Sequence, residues 1–375
     1  MPRYIWQLPQ WPNPEWDARQ LLRPLADCRR RQGALLAKLA GIGLEDSLRA
    51  QAQSLEEDVV QTAAIEGERL DREQVRSSVA VHLGLNQGGL RPADRATDGL
   101  VMVLLDATQN HAQPLTAERL CGWQAALFPS GYSGLSRIVT GAWREKPMQV
   151  VSGPLERHQV HFEAPPPGRL DAEMESFLSW WEESQATLDG IVRAGLAHLR
   201  FVTIHPFDDG NGRLARTLTD MALAQDENLP ARYYSLSAQI MHQRNSYYDV
   251  LERTQKGDGD ATEWLLWFLE RVDRAMAVAE RTIAKVLLKA EFWRRHTATT
   301  LSERQRKVVN RLLDAGPEDL GGGFEGGLTN RKYLGMTKAS RATAYRELAD
   351  LVAKGILRPR EGKGRGAAYD LVWPE

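Results

Sequence analysis

Cysteine is scarce in this chain of 375 residues: Cys28 and Cys121 are the two, far apart. Neither a disulfide framework nor a paired-thiol metal site can be built from them. Long apolar runs are missing too. The longest, such as Leu100 to Leu105, fall far short of the ~20 residues that span a bilayer. The first residues, MPRYIWQLPQW, lack the apolar core of a secretory leader, so a reducing, cytoplasmic location is the expectation. Charge of one sign is absent as well. Lys and Arg number 48 against 49 Asp and Glu, which excludes a molecule built throughout as a polycation for nucleic acid. The strings GxxxxGK(S/T), HExxH, CxxC and GxSxG do not occur, so neither a nucleotide P-loop, a zinc helix nor a nucleophile elbow is expected. His158, His161 and His198 lie near no cluster of carboxylates at ligand spacing, and read as hairpin and core histidines.

What is there suits a globular protein of two or three domains, 42% apolar and 26% charged. Residues 1–15 form an aromatic, proline-rich arm. Leu21, Leu25, Cys28, Leu35, Leu36 and Leu39 recur at helical spacing, and Leu55, Val59, Val60 and Ala63 do so again up to a stop at Gly67. Residues 97–127 predict two helices around Pro114, with Thr116 as an N-cap. Residues 137–163, β-branched and aromatic but broken by Gly141, Gly153 and Pro154, predict a β-hairpin. Ile191 to Ile204 is apolar on most faces and predicts a buried helix. Further helices are expected from about Arg213, over 237–254 and over 261–290. Beyond Leu301 the order is helix, Gly-rich loop, helix, turn, helix, then two short strands at 356–359 and 368–372. That is the order of a winged helix. The chain therefore reads as mainly α: a helical domain at 1–95, a central domain at 96–290 and a winged helix at 300–375.

Chemistry concentrates in HPFDDGNGRLAR, His205 to Arg216. Arg213 and Arg216 are three apart and share a face in the first turn of a helix, where the macrodipole disfavours cations. They make sense there if an anion sits between them. Gly210, Asn211 and Gly212 can adopt left-handed angles and aim successive N–H groups at one point. A nest of this kind plus two guanidiniums is a polyphosphate site. Asp209 adds a carboxylate where Mg²⁺ would sit beside phosphates. His205 supplies a group that accepts a proton near neutral pH.

The string matches HxFx(D/E)GNGRxxR, the motif of the Fic family, at every fixed position, and the chain resembles that family over residues 5–275. The resemblance implies a helical bundle with the motif between two central helices and a hairpin flap, here 137–163. It also implies a transfer reaction. His205 would deprotonate a Ser, Thr or Tyr hydroxyl of a target protein docked on the flap. The oxygen would attack the α-phosphate of ATP and pyrophosphate would leave. Asp209 would hold Mg²⁺, and Gly210, Asn211 and Gly212 would bind phosphate oxygens. Arg213 and Arg216 would hold the β- and γ-phosphates, with Phe207 as a core anchor. Tyr247 and Tyr248 resemble a tyrosine pair that lines the nucleotide pocket in relatives, although neighbours on a helix cannot face the same way.

Thr62-Ala-Ala-Ile-Glu66-Gly67 matches the family's inhibitory motif, (S/T)xxxE(G/N). Thr62 and Glu66 share a helix face. By resemblance Glu66 would pair with Arg216, in a desolvated bidentate pair, and keep ATP in an unproductive pose. In the last segment, Arg331 to Arg365 carries ten basic residues against three acidic ones. The presumed recognition helix, Lys338 to Ala353, opens KASRATAYRE, which suits a major groove. DNA, a protein partner and a homodimer all stay open there. Removal of AMP, another nucleotide, self-modification, and a DNA-binding regulator that senses nucleotide are the alternatives that the sequence leaves standing.

Overall fold

A computed structural model describes residues 3–85, 91–152, 159–317, 320, 322–360 and 367–374. The chain forms two compact units. The first comprises Met1–Leu35 and Gln51–Ala277, and the second Leu36–Ala50 and Val278–Glu375.

The first unit opens with the arm, where Tyr4 is buried edge-on against Phe162, ring centroids 5.1 Å apart. Helices α1 (Ala18–Ala40), α2 (Leu44–Ile65) and α3 (Arg72–His82) follow; the third was not anticipated. Asp71 caps α3 by accepting from Glu73 N. Helices α4 (Arg95–Gln109) and α5 (Ala117–Leu127) flank Pro114, and Thr116 caps α5 as expected. They cross closely at Gly99, where a Cβ would lie 2.0 Å from the Ala126 carbonyl oxygen.

The strand region departs from expectation. Residues 132–137 form a separate small hairpin, β1 (Tyr132–Ser133) with β2 (Ser136–Arg137). Only β3 (Gln149–Ser152) and β4 (Gln159–Glu163) pair antiparallel within 137–163. The segment between the two hairpins gives its backbone donors to other partners: Val139 N to Asp208 Oδ2 (2.9 Å), Gly141 N to Gln124 Oε1 (2.8 Å) and Arg144 N to the Pro206 carbonyl (2.8 Å). Residues 153–158, including Gly153, Pro154 and His158, lie outside the described residues. The arm props this hairpin, with Trp6 Nε1 donating to the Glu163 carbonyl at 2.7 Å.

Helix α6 (Leu170–Thr187) leads to α7 (Gly190–Ile204) and α8 (Asn211–Glu227), the most extensively packed helix pair of the chain. Every residue of α7 from Ile191 to Ile204 is buried, as its apolar run requires. Its one buried arginine near the start, Arg193, is satisfied by neutral partners. It stacks over Trp181 at 4.2 Å and donates to Ser184, Gln225 and the Trp181 carbonyl. Residues 237–254 are two helices, α9 (Leu236–His242) and α10 (Arg244–Gln255), broken at Gln243. Helix α11 (Thr262–Arg295) runs past the end of the first unit.

In the second unit, α12 (Glu303–Ala315) carries a capping box between Ser302 and Gln305. Strand β5 (Leu328–Thr329), helices α13 (Asn330–Thr337) and α14 (Arg341–Ala353), and strands β6 (Leu357–Pro359) and β7 (Ala368–Leu371) follow. The sheet order is β5-β7-β6, antiparallel throughout. β5 was not anticipated, and α14 begins at Arg341 rather than Lys338. Lys338 has φ +54 and ends α13, while Ser340 caps α14. Val308, Leu312, Tyr333, Leu348, Leu351 and Leu371 share one core.

Candidate active site

Helix α7 ends at His205, which adopts φ 52 and ψ 59, the left-handed region. Such a backbone is uncommon for a residue with a side chain and persists only where neighbours fix it. Arg144 fixes this one. Its Nε donates to the His205 carbonyl at 2.8 Å, and its backbone N–H donates to the Pro206 carbonyl at 2.8 Å. Its remaining nitrogens reach the carbonyls of Lys146 (2.8 Å) and Pro165 (2.6 Å). The His205 ring is also constrained. Nδ1 lies 3.1 Å from the Val202 carbonyl, an acceptor, so Nδ1 carries the proton and Nε2 is left as the basic nitrogen. Burial holds the imidazole pKa below its usual 6.5; the Val202 carbonyl opposes this, Arg144 reinforces it, and Glu66 and Asp209 oppose it.

The loop closes on its own backbone. Phe207 is fully buried beside Trp143. The Asn211 side chain both accepts from Phe207 N (2.9 Å) and donates to the Phe207 carbonyl (2.8 Å). Asn211 therefore keeps its backbone N–H and one hydrogen of Nδ2 to offer an anion. Gly210 has φ +90 and a Phe128 ring carbon 3.0 Å from where its Cβ would be, so glycine is required there. Asp209 receives Gly210 N on Oδ1 and the Ser133 hydroxyl on Oδ2. The first turn of α8 holds no acidic residue, yet it holds Arg213, and Arg216 follows one turn later on the same face, 5% and 2% exposed.

Acidity arrives from α2. Arg216 Nη2 donates to Glu66 Oε1 at 2.7 Å, and Nε donates to the Thr62 hydroxyl at 2.6 Å. Nη2 also reaches the Thr62 carbonyl at 3.1 Å. Thr62 thus occupies the edge that a bidentate carboxylate would use, and the Glu66 contact is monodentate, contrary to expectation. Burial alone would lower the Arg216 pKa, but Glu66 overrides it and the pKa is raised. Glu66 also lies against the start of α8: a Cβ on Gly212 would sit 2.2 Å from Glu66 Oε1. Its carboxylate stands where the helix terminus attracts an anion. Gly67, at φ +87, ends α2 as expected. The tyrosines divide. Tyr247 is 2% exposed and hydrogen-bonded through its hydroxyl to His198 Nε2 at 2.8 Å. Tyr248 is the half-exposed one, and its hydroxyl reaches the Ile65 carbonyl at 3.3 Å.

Residues 114–223 match the Fic/DOC family. The chain carries a Fic domain. Residues 4–85 match a domain of unknown function, DUF4172. A protein adenylyltransferase Fic from Aedes aegypti is 39% identical over 113 residues, 29% of this chain and 21% of that protein. Its counterpart from Culex quinquefasciatus is 38% identical over the same shares. The chain thus spans about a fifth of the length of these relatives. Among solved structures, a Fic family protein from Desulfovibrio desulfuricans G20 covers 96% of this chain and 98% of its own, at TM-score 0.55 and 19% identity. A Fic domain containing signaling protein from Bacteroides thetaiotaomicron covers 68% of this chain and 97% of its own, at TM-score 0.53 and 19% identity. At that identity the two establish the Fic fold and no more.

Four site residues escaped the sequence reading of the Fic loop. Arg144 and Ser133 are described above. Arg244 Nε donates to the Ile65 carbonyl at 2.7 Å and holds the end of α2. Glu68 pairs with Arg213 at 3.0 Å. Linear spacing marks none of them.

Behind the site, His198 is a core residue. Thr219 donates its hydroxyl proton to Ala215, so it accepts from His198 Nδ1 (3.1 Å), while Nε2 accepts from Tyr247. Burial pushes the imidazole down from 6.5 to about 3, with Arg216 adding to the effect. The unfolded chain therefore binds a proton that the folded chain refuses. Stability from this group is complete above pH 6.5 and falls as pH drops towards 3, on the order of 4 kcal/mol over the range. Urea unfolding at pH 7.5, 6 and 5 should show wild type losing more than His198→Gln at each acid step, by roughly 1 kcal/mol per pH unit. Parallel losses would sink the assignment.

Proposed function

We propose that the protein is a self-inhibited protein adenylyltransferase that moves AMP from ATP to a hydroxyl of a protein. The observation that carries this is the pairing at the start of α8. Two buried arginines face an anion site, and the carboxylate of Glu66, just past the end of α2, already occupies it. The curated relatives named protein adenylyltransferase support the same reading of the shared segment.

In this reading ATP lies along the loop with its polyphosphate over the N–H groups of residues 211 and 212, and Gly210 joins them when its N–H leaves Asp209. Arg213 and Arg216 take the outer phosphates once released. His205 Nε2, the nitrogen not committed to Val202, removes the target hydroxyl proton. The oxygen forms its bond to the α-phosphorus, and the bond to the pyrophosphate oxygen breaks. Arg144 enters through position alone, by holding the His205 backbone. Mg²⁺ fits the donor set: Asp209 is a half-exposed carboxylate beside the phosphate path, and Mg²⁺ is usually held by one or two carboxylates plus substrate phosphates. When bound, it would neutralise phosphate charge. The target segment would add to the β3–β4 hairpin as an extended strand.

The test is retention of label on protein from α-labelled ATP with Mg²⁺, in wild type and His205→Ala, with candidate targets and with the protein alone. Label that survives in His205→Ala would overturn His205 as the base. Incubation of labelled product with fresh protein reads out AMP removal, the reverse activity on the same fold.

Residues 300–375 we read as a winged helix that docks on DNA through α14. Arg341, Tyr345 and Arg346 are exposed on that helix, Tyr345 at 69%. The wing tip, Gly362 to Arg365, lies outside the described residues. Mobility shifts across a salt series should show affinity falling steeply with salt, and Arg346→Ala should reduce the log–log slope by about 1. Binding that ignores both salt and Arg346 would point to a protein partner instead. Among the described residues no helix is long and apolar enough to cross a membrane.

A further inference from the structure

The other arginine at the start of α8 is also closed off. Arg213 Nη1 donates to Glu68 Oε2 at 3.0 Å. Its guanidinium lies 4.7 Å over the Phe128 ring, with Asp209 Oδ1 4.0 Å away. The local chain geometry explains why Glu68 can reach it. Helix α2 ends at Ile65, Gly67 turns the chain at φ +87, and Glu68 N bonds back to the Ala63 carbonyl at 3.0 Å. Two carboxylates two residues apart are thereby presented to two arginines three residues apart. Arg216 receives Glu66 and Arg213 receives Glu68.

We propose that Glu68 is a second lock on the phosphate site, holding Arg213 from a polyphosphate as Glu66 holds Arg216. The proposal rests on the reading of the two arginines as an anion clamp, and it adds a residue that the inhibitory motif does not contain. The two locks differ in strength for a physical reason. The Glu66 side chain is 30% exposed and that of Glu68 is 46% exposed. Water and salt screen the more exposed pair more strongly. Glu68 is therefore the lock that an incoming phosphate displaces first. While it holds, loss of Glu66 frees only half of the clamp.

Inorganic tripolyphosphate isolates the clamp from any chemistry. Its binding is measured calorimetrically at low salt on the full chain: wild type, Glu68→Gln, Glu66→Gly, and the double variant. Glu68→Gln keeps the shape and removes the charge, and thermal unfolding checks the fold of each protein. In the Glu66→Gly background, Glu68→Gln should tighten binding by about two- to five-fold, the span of an exposed ion pair. The gain should shrink as NaCl rises, and Glu68→Ala should reproduce it. Binding that is indifferent to residue 68, or weakened by its neutralisation, would overturn the lock alone. Absence of binding in every variant would overturn the anion clamp and the lock with it. A missing transferase activity, by contrast, leaves this measurement intact, so the two failures can be told apart.

Discussion

Glu66→Gly should turn a weakly labelling protein into a strongly labelling one. The contact it deletes is a charge-assisted hydrogen bond to an arginine 2% exposed. Bonds of that type contribute roughly 1.5 to 3 kcal/mol, which corresponds to about 10- to 100-fold in rate if Arg216 is needed in the transition state. The change removes a carboxylate from the start of α8 as well, so the site that attracts anions is vacated and not merely loosened. Adding His205→Ala to the variant should then cost roughly 10²- to 10⁴-fold, the usual contribution of a positioned base. The pH profile gives an independent check. Burial already holds the His205 pKa low, and Glu66 is one of the groups that hold it up. The activated variant should therefore stay active through neutral pH and lose rate only below the ordinary histidine range. If Glu66→Gly binds ATP yet labels nothing, the adenylylation reading gives way to AMP removal, another nucleotide, or sensing.

How much of this could be read from the sequence depends on the range of each interaction. The loop from His205 to Arg216 is local: its base, nest and arginines lie within one turn and one helix start, so their spacing reveals them. Thr62 and Glu66 are local to each other, and their partner could be named only because the Fic motif supplies it. The buried α7 was legible because its apolar run exceeds what one helix face needs. What escaped depends on distant carbonyls and on competition for them. Arg144 looks like any basic residue in a loop, and only the folded chain shows its contact to a carbonyl 61 positions away. The hairpin is shorter than its β-branched composition suggested because the N–H groups of Val139, Gly141 and Arg144 bond to Asp208, Gln124 and Pro206 in place of a partner strand. The tyrosine pair divides as helix geometry requires. Tyr247 packs inward on His198 while Tyr248 reaches the end of α2, and residue type alone could not assign the two.

Arg144→Ala should be the most damaging single change outside the motif, through stability and catalysis together. The side chain is 2% exposed and satisfies the carbonyls of His205, Lys146 and Pro165. Removing it strips three carbonyls, one of them in a fully buried bond, of a charged donor at once. Losses of this kind cost roughly 3 to 5 kcal/mol in total, less where water enters the space. Arg144→Lys should recover little, because an ammonium cannot span three carbonyls set around a planar guanidinium. The catalytic consequence follows from φ +52 at His205. Among the described residues Arg144 is the donor that holds the His205 carbonyl, so without it the residue can relax towards the right-handed region and swing Nε2 from the reacting hydroxyl. In the Glu66→Gly background, the change should therefore lower kcat far more than it raises the KM for ATP, since Arg213 and Arg216 do not touch Arg144. Tripolyphosphate affinity, measured well below the midpoint of thermal unfolding, should be nearly unchanged. Equal loss of phosphate affinity and of rate would mean that Arg144 supports the whole loop and not the orientation of His205.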